Sequence, residues 1–150
     1  MSMRFQTDRV SLTLPDGWAD NSSPDANSFI NKATLEELTI GLWEAKTPIA
    51  FDELAKTANH LLELRAKALV QISHSEVDIL DASESTAECP CVVRFTAFSK
   101  AAEVYCSAVV VGYPTHFVGI TYYRYGCAEP TAGVAERAMD IVARVAVREH

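Results

Sequence analysis

From Cys91 to Tyr125 the chain carries three runs whose middles are apolar on both parities, separated by connections of hairpin length. The runs are Cys91-Val92-Val93-Arg94-Phe95-Thr96-Ala97-Phe98, then Val104 through Tyr113, then His116 through Tyr125. Ser99-Lys100-Ala101-Ala102 and Pro114-Thr115 divide them, and connections this short return the chain antiparallel. Val109, Val110 and Val111 are consecutive, so that strand has no wet parity and must be covered on both faces. The stretch demands a sheet with a layer above it and a layer below.

Two helical patterns can supply those layers. After Pro48, the residues Leu54, Ala58, Leu61, Leu62 and Arg65 recur at three- and four-residue spacing, with Asp52 and Glu53 suiting a positive helix N-terminus. This predicts a helix over Phe51–Leu69. A second is predicted from Pro130 to Arg148, with Val134, Ala138, Ile141, Val142 and Val145 as its apolar stripe. Val10, Leu12 and Leu14 alternate with Ser11 and Thr13 as a half-buried strand that Pro15-Asp16-Gly17 ends. Residues 19–28 read as a polar loop. Phe29-Ile30, Leu38–Leu42 and Val77–Leu80 read as further strands, with Trp43 on the opposite parity to Leu42. The expected fold class is α+β: a single α/β/α sandwich domain over 1–150, its twisted, mostly antiparallel sheet flanked by helices at about 51–69 and 130–148.

A chain of 150 residues that is 49% hydrophobic can bury a core without disulfide or metal staples. Its formal net charge of −7 argues against an electrostatic footprint on DNA or anionic lipid. No apolar run approaches the roughly 20 residues that span a bilayer, and the first residues contain no secretory h-region. The chain reads as cytoplasmic, with Cys89, Cys91, Cys106 and Cys127 as reduced thiols.

The residues that carry chemistry elsewhere are poorly arranged for it here. Cys89-Pro90-Cys91 puts one residue between its sulfurs, where redox and zinc motifs need two or more. The four histidines, His60, His74, His116 and His150, lack a metal-ligand spacing. The six glycines are scattered singly, so no phosphate cradle exists. Glu36-Glu37 shows no apolar setting that would tune a carboxylic acid. A Cys106–His116 dyad across the last hairpin is the nearest approach to a nucleophile and base. No enzyme, no metal and no cofactor is expected.

Two surfaces remain. Tyrosine and arginine concentrate binding energy at interfaces, and they crowd the closing strands: Arg94, Tyr105, Tyr123 and Tyr125, with Trp43 on an earlier strand, form the expected partner-binding set. Between Glu76 and Glu88 lie five acids and no base. Asp78, Asp81 and Glu84 are the core of this acidic surface, which is either a solvated strand edge or a dock for a basic partner.

The element order, together with Val10-Ser11-Leu12-Thr13-Leu14-Pro15-Asp16-Gly17-Trp18-Ala19-Asp20-Asn21-Ser22, resembles the PsbP/DcrB-like sandwich family. That family opens with a strand, then Leu-Pro, a Trp, an Asp and a Ser. The resemblance points to its cytosolic branch of adaptor chaperones for type VI secretion effectors, dimers that hold an effector's apolar helices in a concave sheet. It implies no catalytic residue. The expected function is a non-enzymatic module binding another protein, without nucleic acid or membrane insertion. The alternative is a toxin-immunity protein that plugs a basic toxin site with its acidic stretch.

Overall fold

In the computed structural model, residues 2–24, 26–74, 76–85 and 89–149 are described. The central sheet has seven strands, all paired antiparallel. They are β3 (Ala19–Asp20), β4 (Asn27–Asn31), β5 (Glu36–Glu44), β6 (Asp78–Ser85), β7 (Cys91–Ser99), β8 (Val104–Tyr113) and β9 (His116–Arg124). Their spatial order is β3-β4-β5-β9-β8-β7-β6, so the final hairpin sits in the middle. That position explains why β8 and β9 are buried along nearly their whole length. A three-stranded sheet, β1 (Met3–Gln6), β2 (Val10–Leu14) and β10 (Val145–Val147), lies apart from it, with β2 central.

Helix α1 (Phe51–Ser73) covers one face of the large sheet. Its Leu54, Ala58, Leu61, Leu62 and Leu69 pack on Val93, Phe95 and Ala97 of β7, on Cys106, Ala108 and Val110 of β8, and on Phe117 and Tyr123 of β9. The helix runs four residues past the expected Leu69. It closes at His74 in the left-handed region (φ 53°), whose amide donates to the Val70 carbonyl at 3.0 Å.

Helix α2 (Ala132–Ala143) and the small sheet cover the other face, over β4, β5 and β9. There Leu12, Leu14, Trp18, Ala138 and Ile141 meet Phe29, Leu38, Ile40, Val118, Ile120 and Tyr122. The expected helix over 130–148 is therefore too long. Thr131 caps its start by accepting from the Val134 amide at 3.3 Å, and after Ala143 the chain turns into β10. Val145 and Val147 are β-branched and two apart, and pairing with β2 (Val145↔Leu12, Val147↔Val10) satisfies an edge a continued helix would leave open.

Three other expectations also shift. Residues 19–28 are not wholly a loop, because Ala19 and Asp20 pair with Ile30 and Phe29. Strand β1 was not anticipated. Strand β6 extends to Ser85, past a register shift between Ile79 and Asp81.

The two covering layers are offset. Helix α1 sits over β7–β9, whereas α2 and the small sheet sit over β4, β5 and β9. Neither layer spans the whole sheet, and on the α2 face part of β7 and β8 lines a groove, although Phe98 and Tyr105 of those strands join the core.

Candidate functional site

On the α2 side, over β7 and β8, the surface forms a groove of about 520 Å³. Its floor is Val92 of β7, Val109 and Val111 of β8, and Ile120 of β9; its wall is Met139, Val142 and Val145. Asp81, Ser83, Arg94, Thr96 and Ser107 give it a polar far side. The same valine run that called for cover on both faces is covered on one face and lines this groove on the other. Met139 is 67% exposed, which is unusual for an unbranched apolar side chain at the lip of a core.

The expected partner-binding residues do not form one site. Register places Trp43, Tyr123 and Tyr125 on the α1 face, and Arg94 and Tyr105 on the α2 face. Tyr105 and Tyr123 are 2% and 4% exposed, so the expectation that their rings form a contact surface is corrected: they are core. The reason is their strands' central place, which turns an aromatic-rich edge pattern into an interior one. Tyr125 is half-buried, stacks on Tyr123 with centroids 6.0 Å apart and donates to Glu37 Oε1 at 2.6 Å. Arg94 is exposed and lines the groove.

The acidic set is also divided. Asp78 and Asp81 pair with Phe98 and Thr96 and share the groove face, while Glu84 pairs with Val93 and faces α1. There it accepts from Asn59 Nδ2 at 2.9 Å. All three are exposed on an edge strand, where charge discourages unwanted strand pairing. Glu88 lies outside the described residues.

The Cys106–His116 dyad does not exist. Cys106 pairs with Tyr123 and His116 with Tyr113, about 23 Å apart along the strand at 3.3 Å per residue. They also face opposite layers. Cys106 is fully buried, and burial pushes its thiol up to about 12, with only Arg65 opposing. Iodoacetamide at pH 7 is expected to leave Cys106 unmodified in the folded protein and to alkylate it in urea. Mass mapping of the labelled peptide checks this, and native labelling at a free-cysteine rate would contradict it.

His116 has a structural job instead. Its Nε2 lies 2.7 Å from the Arg148 carbonyl, which can only accept, so Nε2 carries the proton. Nδ1 then accepts from the Thr115 hydroxyl at 2.8 Å. Burial holds the imidazole below its usual pKa, and the ring stacks on Tyr113. The histidine thus pins the strand-end that follows β10.

Glu36 was not expected to sit in an apolar setting, yet it is 2% exposed. It accepts from Arg137 Nε and Nη2 at 3.0 and 3.1 Å, from Tyr122 Oη at 2.5 Å and from Thr34 Oγ1 at 2.5 Å. Burial alone would raise its pKa; the Arg137, Thr34 and Tyr122 hydrogen bonds prevail and hold it below the usual value. A carboxylate so fully coordinated clamps α2 to β5 and has no free lone pair for acid–base work. Among the described residues no group of three or more His, Cys, Asp or Glu could hold a metal ion, and no helix is long and apolar enough to cross a membrane.

The architecture matches solved structures at low sequence identity. The solution structure of cyanobacterial PsbP (CyanoP) from Synechocystis sp. PCC 6803 superposes with a TM-score of 0.68 at 14% identity, over 98% of this chain and 92% of that one. A crystal structure from Bacteroides thetaiotaomicron VPI-5482 gives 0.53 at 12% identity, over 94% of this chain and 46% of that one. No protein-family profile and no curated protein matches the chain. The fold is PsbP-like.

Proposed function

We propose that the chain is a non-enzymatic protein-binding module, an adaptor or chaperone for a bacterial type VI secretion effector. The groove carries this reading: a valine-floored channel walled by an exposed methionine suits an apolar segment of a client protein. The PsbP-like fold supports the architecture such an adaptor needs and is silent on the client. The protein, tagged and recovered from its native cytosol, is expected to bring down one stoichiometric effector. Met139→Glu, at an exposed position that leaves the fold intact, is expected to weaken that capture about tenfold or more, because a carboxylate would have to be desolvated against the client. Recovery of no stoichiometric partner, or undiminished capture by the variant, would sink the reading.

A second reading is a toxin-immunity protein, and the placement of Asp78 and Asp81 together on the groove face favours it. Neutralising Asp78, Asp81 and Glu84 would then abolish protection against the toxin, and survival of protection would remove that surface from consideration.

A further inference from the structure

Where Arg65 of α1 meets β5 and β9 lie buried hydrogen-bond donors with no acceptor among the described residues. Arg65 reaches from α1 across the sheet and lies over the Trp43 ring, its guanidinium carbon 5.0 Å from the centroid. Two glycines paired across β5 and β9, Gly41 and Gly119, make room for it. A Cβ on Gly41 would stand 2.5 Å from Arg65 Nη2, and one on Gly119 would stand 2.8 Å from the indole. Arg65 Nε is nevertheless buried without a hydrogen-bond partner among the described residues, and none of their ion pairs involves this arginine. Thr121, two residues along β9 on the same face and 1% exposed, has an equally unpartnered hydroxyl. Leaving such groups unmatched costs about 1–3 kcal/mol each, and more for a charge. Arginine cannot accept a hydrogen bond, so the missing group is an acceptor.

We infer that Arg65 and Thr121 form a receptor for the carboxylate of an acidic residue on a partner protein, with Trp43 as its apolar wall. A carboxylate supplies planar acceptors that match the guanidinium fork, and the threonine hydroxyl can donate to one of them. The partner is inferred to approach past Thr39, the partly exposed cross-strand neighbour of Thr121. The neighbouring acid on this face, Glu37, is already engaged by Ser28 Oγ at 3.1 Å and Tyr125 Oη at 2.6 Å, which limits its competition for Arg65. This surface is distinct from the groove, and its failure or success leaves the adaptor reading untouched.

Nuclear magnetic resonance of the ¹⁵N-labelled full chain tests it, following the Arg65 Nε–H and Trp43 indole N–H signals during titration with acetyl-Leu-Asp-Leu-amide at constant ionic strength. Both signals are expected to move saturably, with binding about tenfold weaker for the Asn counterpart. Thr121→Val is expected to fold at least as stably, since it removes an unsatisfied hydroxyl, and yet to bind the Asp peptide more weakly. Absence of movement, equal movement with the Asn peptide or with inorganic phosphate, or undiminished binding by Thr121→Val would overturn the assignment.

Discussion

Replacing Glu36 by alanine is expected to lower the unfolding free energy by about 3 kcal/mol, toward the lower end of the roughly 3–5 kcal/mol seen when one partner of a buried ion pair is removed. The lower end applies because Arg137 is one-third exposed and can rehydrate, whereas the Glu36 side chain has no exposure at all. The loss also strands Tyr122 Oη, which is otherwise sealed beneath α2. Urea titration of Glu36→Ala, Arg137→Met and the double variant measures the coupling directly. A double variant no worse than the worse single one would confirm that the stranded charge, rather than lost packing, dominates. The same carboxylate gives stability a pH slope with a defined sign. Its folded pKa is depressed, so on acidification the unfolded chain takes up the proton first. The contribution is complete above the ordinary carboxylate range and disappears as pH falls through the folded pKa. Glu36→Gln is expected to be less stable than the native chain at neutral pH and to converge with it in acid. A constant gap across that range would contradict the clamp.

Phe29→Ala is expected to cost about 3–5 kcal/mol, a large share of the roughly 5–15 kcal/mol that holds a domain of this size together. The ring has no exposure, meets Phe5 edge-on with centroids 5.1 Å apart and stands beside Leu38 across β4 and β5. It therefore joins the small sheet to the large one, and a cavity there loosens both. The urea midpoint should fall while the slope of free energy against urea stays the same. Phe29→Leu is expected to recover more than half of the loss. A near-neutral Phe29→Ala would mean that the small sheet is held by β10 and α2 alone.

The meander and α1 could be read in the amino-acid pattern because their signals are local. Val104–Tyr113 and its neighbours have unbroken apolar cores, and Leu54, Ala58, Leu61 and Leu62 mark one helix stripe. What escaped depends on distant partners. Val145 and Val147 fit a helix stripe as well as a strand, and only the open edge of β2 decides between them. Glu36 reads as one of two surface acids until Arg137, 101 positions later, arrives to neutralise it. Tyr105 and Tyr123 read as partner-binding residues because tyrosine and arginine gather at interfaces, and only the pairing of β9 with β5 makes their strands central. The Arg65 slot had a faint signal in the isolated Gly41 and Gly119, which make sense only once β5 and β9 are paired.

The stagger of the two covering layers has a mechanical corollary. A ligand seated in the valine groove and one seated against Trp43 would approach along opposing normals, because Ile120 and Thr121, neighbours on β9, face opposite sides of the sheet. Neither would shadow the other, so the two proposed sites could be filled at the same time.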